Sequence, residues 1–265
     1  MPMNRRILIL TVLMLAVSFA ALAAEPPQSE RPKTVTLKVM TYNLHHCEGE
    51  DGVYDVARIA AFIKELGADI VLCQEVDKGF SDRSRNEDQP EMLASALGFQ
   101  SFYGPNIEDT YGNLILSRYP IERAGNLPLP NPEDREPRGV IVAYVNVNGL
   151  ILSVLDTHLC AFSAANRKAQ IAFLQEFLTK SPYPLLFGAD FNTRPSAQLK
   201  PLLDDGAVTA TRDAILSLGE GIDDILVSKD LAGSVKRGEV VEKPYSDHPA
   251  YWIEITVDTP GTAGE

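Results

Sequence analysis

The sequence predicts an α/β (α+β) domain built from two mixed β-sheets, packed face to face with helices outside. Three observations point there. Strand-like apolar runs alternate with helical stripes along the chain. Asn148-Gly149 between two such runs marks a tight hairpin, so antiparallel pairs coexist with strand-helix-strand units. No linker, repeat or low-complexity stretch interrupts the body, so this many strands must share one domain, and two layered sheets house them.

The elements follow in order. Val35, Leu37 and Val39 alternate with polar residues and lead into Thr41-Tyr42-Asn43, a strand. Val56, Ile59, Ala60 and Ile63 form the stripe of an amphipathic helix, which Gly67 stops. Asp69 to Gln74 is a short buried strand. Pro90 to Leu97 is a helix with Pro at its start and Gly98 past its end. Leu114 to Ser117 is a strand. Val140 to Val147 and Leu150 to Leu155 are the two arms of the hairpin. Ser163 to Thr179 is a helix with Ile171, Leu174 and Leu178 on one face. Leu185 to Phe187, Ile225 to Val227 and Tyr251 to Val257 are the remaining strands.

Composition bounds the function. Of 265 residues, 45% are hydrophobic, enough for a sizeable core and too many for a disordered chain. Lys and Arg number 24 against 36 Asp and Glu, a net charge of -12. That argues against a basic nucleic-acid coat or a polybasic membrane anchor. Three cysteines exclude a disulfide scaffold.

Residues 1–24 read as a signal peptide. Arg5 and Arg6 precede an apolar run from Ile7 to Leu22, and small residues follow at Ala21 to Ala24. The run is short for a membrane span of roughly 20 residues. The expectation is therefore an exported protein, periplasmic or extracellular, with no stable membrane anchor after cleavage, and a monomer. Cleavage leaves the chain more acidic still, because both arginines depart. Residues 25–34 are a polar, Pro-rich linker, 35–257 the folded domain and 258–265 a flexible tail.

The chemistry sits where the apolar runs end. The first strand ends in Asn43, the second run in Glu75, and ILSVLDT in His158. PLLFGA ends in Asp190, with Asn192 two residues on. Asp223 and Asp224 follow Ile222, and Asp247-His248 precedes the last strand. A lone Asn or Asp at a strand end is usually a turn former. Here six runs end this way, and two of only four His fall among them. Layered α/β folds form ligand sites at such ends. Carboxylates and amide oxygens without a cysteine cluster suit a hard cation such as Mg²⁺, with Mn²⁺ or Ca²⁺ as alternatives.

TYNLHH, IVLCQEV, YGNLILSRYP, LDTHL, FGADFN, GIDDILVS and YSDHPAYW together resemble the endonuclease/exonuclease/phosphatase superfamily, from about Val35 to Val257. The resemblance implies a four-layer sandwich and a metal-dependent phosphoesterase. By it, Asn43 and Glu75 are the Mg²⁺ ligands and Asp247 a further carboxylate supporting the metal. Asp190 and Asn192 position the attacking water and contact the phosphate. His158 contacts phosphate, and His248 does so with Asp223 orienting it. Asn113 and Arg138 are expected to hold substrate.

The expected substrate is a phosphodiester rather than a monoester: a small molecule, a lipid headgroup as in sphingomyelinases, or nucleic acid. A non-catalytic phosphate-binding module on this fold is the rival from another class. The lone Trp252 lies in the last strand, so no exposed aromatic hairpin for membrane contact is evident. Arg83 and Arg85 lie in a run, SDRSRNEDQ, from which they could face substrate, with a solvated loop as the favoured reading. His45 and His46 read as rim residues of the cleft, and Cys73 as a buried thiol. Cys47 and Cys160 follow strands ending at the same cleft, where an exported chain could oxidise them to a disulfide.

Overall fold

The computed structural model describes residues 33–260; the expected signal peptide and the end of the tail lie outside them. The described strands are β1 (Lys33–Asn43), β2 (Ile70–Asp77), β3 (Gln100–Ile107), β4 (Tyr111–Ser117), β5 (Ile121–Pro128), β6 (Gly139–Val147), β7 (Leu150–His158), β8 (Leu185–Asp190), β9 (Val208–Ala210), β10 (Asp223–Ser228), β11 (Val235–Val241) and β12 (Ala250–Thr259). The helices are α1 (Val56–Leu66), α2 (Gln89–Leu97), α3 (Ala164–Leu178), α4 (Lys200–Asp204) and α5 (Lys229–Ala232).

The strands form two six-stranded sheets, ordered β11-β12-β1-β2-β4-β3 and β5-β6-β7-β8-β10-β9. The parallel pairs are β1 with β2 and β7 with β8; the other pairs are antiparallel. Strand alternation sorts the apolar side chains into three cores. Val39, Leu72, Val154 and Leu186 point between the sheets. Their neighbours Met40, Val71 and Cys73 face outward onto Ile59, Ile63 and Leu93 of α1 and α2. On the far side, Leu155 and Phe187 pack on Ile171 and Leu174 of α3. Each such buried side chain contributes roughly 1.5–3 kcal/mol. Helix, sheet, sheet, helix is the four-layer order expected from the sequence.

Capping sets the helix bounds. Asp55, Asp88 and Ser163 each accept a backbone N–H from the first turn of α1, α2 and α3. Gly67 and Gly98 end α1 and α2 in the left-handed region. At the hairpin tip Asn148 and Gly149 both have positive φ, as a two-residue turn of this kind requires. Gly188 lies inside β8 because a Cβ there would collide with Leu72 of the facing sheet. Its absence lets the two sheets close where the site forms.

Some boundaries differ from the sequence reading. Lys33 and Thr34 are not linker: they pair with Thr259 and Asp258, so β1 and β12 extend into both expected tails. The run Asp69 to Gln74 continues through Glu75 to Asp77. β3, β5, β9 and β11 were not expected at all. The three cysteines are free and buried, and Cys47 and Cys160 are not bridged. Cys47 packs in the layer under α1, while Cys160 lies within reach of Asn166 on α3. No helix among the described residues is long and apolar enough to cross a membrane.

Candidate active site

Strand register builds the site. His158 at the end of β7 is the parallel partner of Asp190 at the end of β8. Asp190 is in turn the antiparallel partner of Asp223 at the start of β10. Side chains at register positions share a face, with Cβ atoms roughly 5 Å apart. The three groups thus form a row across one sheet. The other sheet brings Asn43, which ends β1 beside Gln74 of β2.

Glu75 enters through a backbone irregularity. The β2–β4 ladder shifts register between Cys73 and Val76. Glu75 sits there at φ 56, left-handed for a residue with a Cβ. Such a conformation costs on the order of 1–2 kcal/mol, and the flanking ladder must hold it. Gln74 bonds across the sheets to Asp156 at 2.6 Å, while Glu75 reaches the cleft. Asn192 follows the same pattern at φ 50, two residues past β8. Its N–H donates to Asp190 Oδ1 at 2.9 Å, and its amide donates to the Leu159 carbonyl at 2.9 Å.

The side chains converge. Asn43 Nδ2 donates to Glu75 Oε1 at 2.9 Å and to Asp190 Oδ2 at 3.2 Å. His158 Nε2 lies 3.3 Å and His248 Nε2 3.7 Å from Asp190 Oδ2. His248 Nδ1 lies 3.0 Å from Asp223 Oδ2. Ser246 fixes the segment carrying His248: its hydroxyl donates to the Asn43 carbonyl at 2.7 Å and accepts the His248 N–H at 3.2 Å. Asp247, next in the chain, is exposed.

Environment sets the charges. Burial drives His158 well below the ordinary imidazole range, and Arg138 and His248 push it further, so it is neutral. Arg138 Nη1 lies 2.9 Å from His158 Nδ1. Guanidinium only donates, so Nδ1 accepts and the proton sits on Nε2, facing Asp190. Burial alone would depress His248 too. The hydrogen bond and charge of Asp223, with Asp190 and Asp247, override it and raise His248 to about 9. Burial and the nearby Asp223 raise Asp190 above the usual carboxylate range.

Glu75, His158, Asp190, Asn192 and His248 line a cavity of about 280 Å³, together with Arg138, Tyr111 and Phe162. A roomier cleft of about 630 Å³ runs past Thr179, Lys229 and Asp230, where no set of titratable groups converges.

Four expectations need correction. Asn113 does not face the cavity: it is 1% exposed and its amide reaches the Gly139 carbonyl at 3.4 Å. Its side chain turns between the sheets to the start of β6. Arg83 takes the alternative of facing the cleft over the favoured solvated loop. It lines the cavity, pairs with buried Asp77 through two bonds of 2.8 and 2.7 Å, and lies over Phe80. Arg85 stacks on Tyr54 instead. His45 and His46 do not line the cavity. His46 is buried, its carbonyl accepting from Gln89.

Sequence reasoning missed Asp77, Tyr111, Glu136 and Phe162. Glu136, which pairs with Arg138 at 2.9 Å, was detectable only as a charge in a loop. Phe162 follows the His158 run by four residues, and nothing local marks it.

The donor set can be tested for a divalent cation. Two carboxylates, Glu75 and Asp190, converge on the Asn43 amide, a hard-oxygen environment in excess negative charge. Asn43 here presents its nitrogen to them, and its oxygen accepts the His45 N–H at 3.0 Å. The amide's two ends are near-isosteric, so a ligating oxygen fits the same space. Asp190, Asp223 and His248 are a second compact group. There the Nδ1 of His248 is already engaged by Asp223, and the ring is protonated below about pH 9. The Glu75–Asn43 side therefore fits a hard cation better.

A model of the endonuclease/exonuclease/phosphatase family matches residues 40–248. The chain belongs to this family. Members of the endonuclease/exonuclease/phosphatase family are hydrolases of phosphoester bonds. YbhP of Escherichia coli K12 is 29% identical over 177 residues, covering 62% of this chain and 69% of YbhP. A family protein from Bacteroides thetaiotaomicron superposes with a TM-score of 0.70 at 17% identity, covering 86% of this chain and 97% of that one. A mannosyl-6-phosphatase from the same species gives 0.69 at 17%, covering 83% and 99%. The catalytic domain of human Nocturnin, with sulfate bound, gives 0.66 at 19%, covering 88% and 99%. At these identities the structural likeness carries the fold. The chemistry rests on the family match and on the site itself.

Proposed function

We propose that the protein is an exported, Mg²⁺-dependent phosphodiesterase that cleaves its substrate by in-line attack of water. The observation that carries this reading is the meeting of Asn43, Glu75, Asp190 and His158 around shared oxygens, with the His248–Asp223 pair beside them and Glu75, Asp190, His158 and His248 lining one cavity. Glu75 and Asn43, with Asp247 as a supporting carboxylate, would hold Mg²⁺, whose chemistry there is to neutralise charge on the phosphoryl oxygens and leaving group.

The chain's own groups do the rest. Asp190 orients the attacking water and takes its proton at Oδ2. A carboxylate raised toward neutrality suits that task. His158 keeps its Nε2 proton and donates it as a hydrogen bond. His248 stays charged and, held by Asp223, stabilises negative charge developing on phosphorus-bound oxygen. Asn192 shapes the turn that aims Asp190. Arg138, buried against His158, faces the cavity as a phosphate partner.

Export rests on residues 1–24, and the net charge of -12 favours a small or locally recognised diester over broad backbone binding to nucleic acid. The test is a panel of plasmid DNA, RNA, sphingomyelin, a bis-aryl phosphodiester and phosphomonoesters, each with and without Mg²⁺. Metal-dependent turnover of a diester is expected. Turnover that survives EDTA, or none on any substrate, overturns the reading.

A further inference from the structure

We propose that Phe162 is the specificity-determining residue of this site: a stacking platform for a flat, unsaturated ring carried by the ester, which in a biological phosphodiester is a nucleobase. The inference rests on the phosphodiesterase reading and names its substrate class.

Phe162 is 84% exposed, yet it borders the cavity that holds Asp190 and His158. Isolated exposed apolar residues are ordinary on protein surfaces. This one is not left out by a loose loop. The Leu159 N–H donates to the Asp190 carbonyl, and the Cys160 N–H to Gln170 Oε1. Arg167 Nη1 donates to the carbonyls of both Cys160 and Ala161, at 2.7 and 2.9 Å. Ser163 immediately caps α3 and donates to Glu133. The backbone is pinned on both sides of Phe162, so the ring is presented to solvent by a fixed frame.

The rest of the cavity complements it. Tyr111 opens β4 of the other sheet and Phe80 lies in the loop past β2, their ring centroids 5.8 Å apart, and the Arg83 guanidinium lies over both. Arg138 is 5% exposed, lines the cavity, and its Nε has no partner in the protein. A phosphate-seeking floor is thus edged by flat apolar surfaces from both sheets. About 280 Å³ has room for one phosphate and one ring-sized group. Stacking on an aromatic side chain tolerates any base, because every base has a π-face.

The test compares three probes by calorimetry with Mg²⁺ present: inorganic phosphate, ribose 5-phosphate and adenosine 5′-monophosphate. Asp190→Ala is the background, so that the probes stay intact. The nucleotide is expected to bind at least about tenfold tighter than ribose 5-phosphate, as base stacking implies. Adding Phe162→Ala should erase that advantage and leave phosphate affinity unchanged, while Phe162→Trp should keep it. Because Phe162 is exposed, neither change disturbs the core. Equal binding of nucleotide and ribose 5-phosphate, or an advantage that survives Phe162→Ala, overturns the proposal and leaves the phosphodiesterase reading standing. Equal losses for ribose 5-phosphate and nucleotide in Phe162→Ala would make the platform one for sugar, and also overturn it. Failure of all three probes to bind overturns this proposal, while the phosphodiesterase reading stands or falls on the substrate panel.

Discussion

Arg138 Nη1 donates to His158 Nδ1 at 2.9 Å, and that bond decides which nitrogen of His158 faces Asp190 with a proton. The prediction is that Arg138→Met, which keeps the bulk but not the donor, lowers kcat by roughly 10- to 100-fold, the size of effect seen when an orienting partner is lost. It also leaves a buried imidazole nitrogen unpaired, at about 1–3 kcal/mol of stability. Steady-state kinetics and denaturant unfolding check the two halves. ¹⁵N chemical shifts of His158 should show mixed tautomers in the variant.

The His248–Asp223 pair makes stability depend on pH. His248 is raised to about 9 in the fold and lies near 6.5 when unfolded. The fold therefore holds this proton more tightly than the unfolded chain does. The stabilisation is full below pH 6.5 and is lost as pH rises toward 9. Thermal melts of metal-free protein should show the midpoint falling across that window. His248→Gln should flatten the fall; an unchanged slope would count against the pair as its source.

Asp190→Ala should lower turnover by at least about 10³-fold, since water positioning and proton acceptance go together, while cooperative unfolding persists. Asp190 is buried with its charged form disfavoured, so losing it does not strip the core of a favourable charge. Near-normal turnover in the variant would remove Asp190 from the mechanism.

Mg²⁺ should raise the melting temperature of the wild-type protein, because an ion that binds only the folded state stabilises it by mass action. Glu75→Gln should weaken that rise and shift the Mg²⁺ dependence of activity to higher concentration. Asp223→Asn should leave the Mg²⁺-induced rise largely intact. The opposite pattern would move the ion to the Asp190–Asp223–His248 group.

The strands legible in the sequence were the interior ones. β1, β2, β4, β6, β7, β8, β10 and β12 each have neighbours on both sides, and their runs are dense in Val, Ile and Leu. The four that were missed, β3, β5, β9 and β11, are the four sheet edges. An edge strand buries less, so IERAGNLP and VKRGEVV carry charge and glycine where an interior strand carries apolar side chains. The site divides the same way. Polar residues at the ends of apolar runs stand out in sequence, and the fold brings them together. Phe162 and Glu136 lie in connecting loops, and what gives each its place is a bond from a nearby arginine, Arg167 or Arg138, that no apolar run or motif marks. Asn113 misled because a polar residue in an apolar run reads as functional, whereas here it satisfies a backbone carbonyl.

His158, Asp190 and Asp223 sit on three adjacent strands in fixed register. Their mutual spacing is that of the peptide lattice and cannot be tuned one residue at a time. The loops bearing Phe80, Arg83 and Phe162 lie outside that ladder and are held by side-chain bonds instead, Arg83 by Asp77 and the Phe162 segment by Arg167. The molecule therefore separates two kinds of heritable change. Cleavage chemistry is locked to the sheets and tolerates no slippage, whereas ligand preference can be rewritten by grafting rim loops. A chimera carrying a relative's rim on this frame would inherit the relative's taste and keep its own cutting edge.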